Sequence, residues 1–177
     1  MKYVLSILVQ NQPGVLVRVA SLFSRRDFNI DSLAVGTTHV PELSRITAVV
    51  HGDRDLVNQI TKQLEKLPDV EAVKLLSGPQ GVFRGLTLIK VKTDDSRRLE
   101  LLKITELFRA HTIDVQPTTL TFEITGDDEK VSAFMKTVSP YGTILEIIRT
   151  GLVALERGER TIYENCKEKK YYGENIL

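Results

Sequence analysis

The sequence predicts an α+β chain built from two ferredoxin-like βαββαβ domains in tandem. Three observations carry that expectation. Strand-like and helix-like hydrophobic periods alternate in the order βαββαβ, and the order then restarts. The second copy keeps the register of the first: Tyr3 and Leu86 open the two leading strands, Ile30-Asp31 and Ile113-Asp114 recur in the following ones, and each pair is 83 residues apart. Between the copies lies Ser77-Gly78-Pro79-Gln80-Gly81, the clearest linker in the chain.

The elements follow in order. Tyr3, Leu5, Ile7 and Val9 alternate with Val4, Ser6, Leu8 and Gln10, a strand buried on at least one face. Asn11-Gln12-Pro13-Gly14 breaks it, and Val15, Val19 and Phe23 recur at helical spacing. Pro13 stands where a first-turn proline is tolerated, and Arg25-Arg26-Asp27 is the polar end of that helix. Residues 29–36 and 45–51 are β-branched strands around a hairpin loop at 38–42. Asp53 is placed to cap a helix with Leu56, Ile60, Leu64 and Leu67 on one face. Pro68 ends it, and residues 70–76 form a short strand.

In the second copy, residues 86–92 form a strand, and Leu101, Ile104, Leu107 and Phe108 mark a helix. Residues 113–116 and 120–125 are strands around Pro117. Val131, Phe134, Met135 and Val138 mark the last helix, and residues 144–148 the last strand. The domain boundaries are therefore 1–76, a linker at 77–83, 84–155, and a charged tail at 156–177. That tail carries five acidic and five basic side chains with almost no periodicity, so it is expected to be solvated or partly ordered.

Composition narrows the function. Of 177 residues, 24 are Lys or Arg and 23 are Asp or Glu, for a net charge of +1, which removes the electrostatic argument for nucleic acid or an anionic membrane. No apolar run approaches the ~20 residues of a membrane span, and no secretory signal follows the N-terminus. The single cysteine, Cys166, excludes an internal disulfide and fits a cytoplasmic protein; without a nearby His it is expected to be an exposed thiol. His39, His51 and His111 are scattered without metal-ligand spacing, and His111, at the end of a helix, is expected to be a dipole partner or a surface group. Asp94-Asp95 and Asp127-Asp128 precede helices, where acids cap rather than catalyse. No nucleophile elbow, phosphate loop or dinucleotide fingerprint occurs. The chain is expected to do no covalent chemistry and to hold no metal.

One loop has the chemistry of a site. At 11–16 the first strand meets the first helix, whose opening N–H groups lack internal partners and carry the positive end of the helix dipole. Those groups can hold a small carboxylate. Gly14 has no side chain to keep a ligand from the backbone, and Asn11 can bond a carboxylate without repelling it. Asn29 offers an amide oxygen to an ammonium. The alternative is a turn and helix start with Gly14 present only for conformation. The second copy has Thr93-Asp94-Asp95 at this place, and its acids would repel a carboxylate, so no such site is expected there.

The words of the sequence add to this. Residues 11–16, Arg18-Val19, 22–26, 28–30, Ser32-Leu33, Val35-Gly36 and 43–45 closely resemble the small regulatory subunit of acetohydroxyacid synthase (acetolactate synthase). So do 88–91, Phe108-Arg109, 113–115 and 149–155, and the match runs to about Gly158. The Asn-x-Pro-Gly turn alone marks the wider amino-acid-binding ACT domain. The resemblance implies that residues 1–76 are an ACT domain, that the chain is a homodimer with its sheets side by side, and that valine binds between the protomers. Asn11, Pro13, Gly14, Val15 and Leu16 of one protomer, with Asn29 and Ile30 of the other, would form the site. It also implies a large catalytic subunit as partner, which this chain activates and makes sensitive to valine. Thiamine diphosphate, Mg2+ and FAD would belong to that large subunit, and no cofactor to this chain. Two other functions remain open: an amino-acid sensor with a different partner, and an RNA-binding ferredoxin-like module, which the charge balance and scarce aromatics disfavour.

Overall fold

The computed structural model describes residues 1–167 except Asp27 and Ser77, so residues 168–177 of the expected tail, Ser77 of the expected linker and Asp27 at the expected helix end lie outside the described residues. The chain forms two compact units: Met1–Val82 together with the chain from Gly151, and Phe83–Thr150.

The first unit contains β1 (Lys2–Gln10), α1 (Val15–Ser24), β2 (Ile30–Thr37), β3 (Leu43–His51), α2 (Arg54–Leu64) and β4 (Val70–Leu76). Its sheet has the order β2-β3-β1-β4, antiparallel throughout. Alternation along β1 and β3 sends Leu5, Ile7, Val9, Ile46, Ala48 and Val50 to one face. There they meet Val15, Val19 and Phe23 of α1 and Val57, Ile60 and Leu64 of α2. Burying each such side chain contributes roughly 1.5–3 kcal/mol. Asp53 caps α2 as expected, its carboxylate accepting the Leu56 N–H at 2.7 Å.

The other face of this sheet is covered too, and the sequence did not lead us to expect its cover. The expected second domain runs to residue 155, but the second unit ends at Thr150. β9 (Val153–Glu156) and the short turn Ile162–Asn165 pack on β1 and β4 instead. Ile162 is buried among Leu8, Val40, Leu43 and Ala72. The Lys167 N–H donates to Glu71 O at 3.1 Å along β4, and Lys74 pairs with Glu156. Residues 156–167 are therefore a strap: most of them are exposed, as expected of a solvated or partly ordered tail, but Ile162, Tyr163 and Cys166 anchor it to the sheet. Apolar residues at the even positions of β1 need a cover that the helices on the odd side cannot give.

Cys166 is corrected by the same packing. It lies partly buried against the Ile162 cluster, and burial, with the Glu71 carboxylate adding to it, pushes its thiol up to about 11. Gly151 rests on β2: a Cβ there would fall 2.4 Å from Leu33 O. The Leu152 N–H donates to Ser32 Oγ at 2.9 Å. The expected linker is one 3-10 turn, Gly78–Gln80, and β5 (Gly81–Lys92) begins five residues before the expected strand. The Arg157 N–H holds Gln80 O at 2.8 Å, which keeps the backbone there ordered.

The second unit repeats the plan with β5, α3 (Asp95–Leu107), β6 (His111–Val115), β7 (Thr119–Gly126), α4 (Asp128–Val138) and β8 (Thr143–Arg149). Its path β6-β7-β5-β8 is the first unit's order transposed. Phe122, Phe134 and Phe108 stack edge to face in its core. Asp94 and Asp127 cap α3 and α4, accepting the N–H of Arg97 at 3.1 Å and of Lys130 at 2.9 Å. His111 is a surface group, not a helix-end dipole partner: Arg109, at φ 52, terminates α3, and His111 opens β6 exposed.

Candidate functional site

The turn between β1 and α1 is pinned from three sides. The Asn11 N–H donates to Glu42 O at 2.7 Å, and the Gln12 N–H to Gln10 O at 3.0 Å. Asn11 Nδ2 donates to Pro41 O at 3.0 Å, while Ser44 Oγ donates to Asn11 Oδ1 at 3.1 Å. The Asn11 side chain thus ties the turn to the β2–β3 loop, and positioning is the role its contacts display.

Gly14 stands at the helix start with φ 85 and ψ −14, and no side chain caps the helix there. A Cβ on Gly14 would meet nothing within 4 Å, so the space in front of the turn is open, and it is the positive φ rather than crowding that favours glycine. The Arg18 N–H is the first to close a helical bond, to Gly14 O at 3.1 Å. The Leu16 and Val17 amides ahead of it have no carbonyl to reach. The Val15 N–H makes a long bond of 3.4 Å to Gln12 O. No acid occupies the first turn of α1, whereas α2, α3 and α4 each carry at least one. Within α1 itself no acid meets the positive end of the dipole; the carboxylate beside this turn is that of Asp69, which pairs with Arg18.

The expected site residues divide by accessibility. Pro13 and Gly14 are exposed, and Leu16 is 40% exposed, free to wall a ligand. Val15 is buried in the core and can offer only its backbone. Asn29 is exposed, and its Nδ2 donates to Asp31 Oδ1 at 3.4 Å. Ile30 is half-buried against the core.

The register does not bring these two groups together within one protomer. β1 and β2 each run antiparallel to β3, so they run parallel to each other. Gln10 faces Leu43 and Thr37 faces Ser44 at one end of the sheet; Lys2 faces His51 and Ile30 faces Val50 at the other. At a strand rise of about 3.4 Å per residue, those ends lie roughly 25–30 Å apart. Asp31, paired with His51, sits at the Asn29 end. It was not singled out from the sequence, where nothing distinguishes it from a solvated strand carboxylate.

Among the described residues, no group of three His, Cys, Asp or Glu side chains could hold a metal ion. No helix there is long and apolar enough to cross a membrane.

Comparison with known proteins converges on one family. Residues 5–72 match the AHAS small subunit-like ACT domain, and residues 84–158 match the small subunit of acetolactate synthase. The probable acetolactate synthase small subunit of Archaeoglobus fulgidus is 47% identical over 161 residues, covering 90% of this chain and 99% of the relative. The acetolactate synthase small subunit of Haemophilus influenzae is 42% identical over 162 residues, covering 92% and 99%. Among solved structures, the acetolactate synthase small subunit from Thermotoga maritima superposes with a TM-score of 0.81 at 39% identity, covering 90% of this chain and 99% of that one.

Proposed function

This chain belongs to the family of acetolactate synthase small subunits, and from that premise we propose that it is the valine-sensing, non-catalytic regulator of a large acetolactate synthase subunit in the cytoplasm. The observation that carries the reading is the start of α1: left-handed Gly14, open space in front of it and no acid in the first turn. Those amides would take the carboxylate of valine.

The ammonium needs an acceptor, and within one protomer Asn29 is at the wrong end of the sheet. A homodimer supplies it. β2 is an edge strand whose Leu33 and Val35 are 37% and 47% exposed. Two β2 strands pairing antiparallel about a two-fold axis would set the partner's Asn29 and Ile30 beside Thr37, at the end that carries the Asn11 turn. Side-by-side sheets would then complete the pocket, with Leu16 against the branched side chain.

A regulator of this kind acts by differential binding. Valine lowers activity only if it binds one state of the complex better than another. A 10–100-fold change needs about 1.4–2.8 kcal/mol of coupling. Thiamine diphosphate, Mg2+ and FAD reside on the large subunit in this reading. The second unit contributes association surface: its edge strand β8 exposes Leu145, Ile147 and Ile148.

The test is Gly14→Asp. Aspartate tolerates the left-handed region better than most residues, and its Cβ has room, so the fold survives. Its carboxylate would sit where that of valine belongs. Reconstituted with the large subunit, the variant is expected to stimulate activity as the wild type does but to lose valine inhibition. Full inhibition by valine in this variant would remove the pocket from the α1 turn.

A further inference from the structure

The strap that covers the first unit's sheet does not fill the space beneath it. Between the strap and the sheet lies a cavity of ≈ 440 Å³, on the face opposite α1 and α2. Ser6 of β1, Arg45 of β3 and Lys74 of β4 contribute its floor, and Ala154, Ile162 and Tyr163 of the strap its roof. The register explains the floor: Ser6 faces Lys74 across one ladder, and Arg45 faces Leu8 across the other.

Two polar atoms here lack partners. Ser6 is 2% exposed, and its Oγ makes no hydrogen bond. Arg45 Nε is buried and likewise unpartnered. Buried polar groups are ordinarily satisfied, and one left alone destabilises the fold unless a partner arrives. Lys74 is neutralised by Glu156. Arg45 has no carboxylate partner among the described residues; its guanidinium lies 6.0 Å from the centroid of the Tyr163 ring. Burial pulls that guanidinium below its ordinary value, with the charge of Tyr163 opposing. The remaining walls combine apolar Leu76, Ala154, Leu155 and Ile162 with polar side chains, His39, Arg160 and Thr161 among them.

We propose that this cavity binds a small monocarboxylic acid with an apolar body, its carboxylate held by Arg45 and Ser6. A planar guanidinium and a hydroxyl match a carboxylate. Glu156 is taken by Lys74, so Arg45 and Arg160 are the cations of the lining that no acid of the lining pairs. The apolar body follows from the strap, whose Ile162 and Tyr163 close the pocket over it. The cavity lies on the face opposite α1 and α2, with Thr37 at the end of β2 on its rim. A ligand here would fasten the strap to the sheet.

The experiment records amide chemical shifts of the isotope-labelled full chain titrated with 4-methylpentanoate, its neutral amide 4-methylpentanamide, and inorganic phosphate. The acid is expected to move the amides of Ser6, Arg45 and the strap around Ile162, and the neutral amide to leave them in place. Arg45→Met should weaken binding about tenfold or more, and Ser6→Ala by a smaller factor. Gly14→Asp should leave the titration unchanged, which separates this site from the valine pocket. If Arg45→Met loses its folded spectrum, Ser6→Ala and the neutral amide carry the test. The proposal is overturned if millimolar acid moves nothing, if phosphate reproduces its shifts, if a well-folded Arg45→Met binds undiminished, or if Gly14→Asp abolishes binding.

Discussion

The two units share a topology and differ in what each leaves open. In the first, the central strands β1 and β3 are covered on both faces and the strand-to-helix turn is bare. In the second, the turn is filled and one sheet face is open. Gly14 leaves the start of α1 without a side-chain cap, whereas Asp94 takes the same place before α3 and caps it with its own carboxylate. Strand β3 is buried along nearly its whole length, whereas β7 alternates buried and half-exposed residues. On the open side of the second sheet, Lys90 and Glu146 pair at 3.5 Å in solvent. The repeat therefore keeps the backbone plan while exchanging which surfaces are available.

The largest test of that contrast is Ile162→Ala. It removes the apolar anchor of the strap from the cluster with Leu8 and Leu43. Large-to-small changes at buried isoleucines cost about 2–5 kcal/mol. Chemical denaturation is expected to show that loss in the transition of the first unit, with β5–β8 amides keeping their hydrogen-exchange protection. Equal loss of protection in both units would mean that the strap is not specific to the first sheet.

Part of this was legible in the sequence and part was not. The order of elements, the repeat, the three aspartate caps and the position of Gly14 all follow from local signals: period, turn residues and residues that satisfy a helix start. The strap does not, because Ile162 and Tyr163 sit in a charged segment with no period of their own. The signal lay elsewhere, in Val4, Leu8 and Val49, apolar residues on the strand side that no helix could reach. Continuous apolar strands in the first unit against alternating ones in the second announce a second cover. Asn11 illustrates the other limit. Its residue type fits a ligand and a loop equally, and only the contacts to Pro41 and Ser44 show how it is used.

A smaller effect sharpens the comparison of the turns. The hydrogen bond from the Ser96 hydroxyl, at 2.5 Å, holds the Asp94 carboxyl below the usual carboxylate range, aided by the Arg97 N–H and charge and opposed by desolvation. A carboxyl depressed in the folded state stabilises it above the unfolded value, and that contribution fades as pH falls through the folded one. Asp94→Asn is therefore expected to lower the thermal midpoint at pH 7, and the difference from wild type to shrink below about pH 4. Valine titration of this variant should match wild type. A new or lost valine response would show that the second turn takes part in binding after all.

The smallest perturbation needs no mutation and reads the strap directly. Cys166 holds its proton to about pH 11 because it is buried, with Glu71 adding to the effect. An unfolded cysteine releases its proton near 8.5. The folded state thus binds more protons between those values, so stability falls as pH rises through that window and is unaffected at pH 7. The thiolate is the reactive form, so native Cys166 should be alkylated by iodoacetamide at pH 8 at least about tenfold more slowly than in the denatured chain. Equal rates would mean that the strap is off the sheet for much of the time. The closed face of the first unit would then be a face that opens, and the contrast with the second unit would be one of degree.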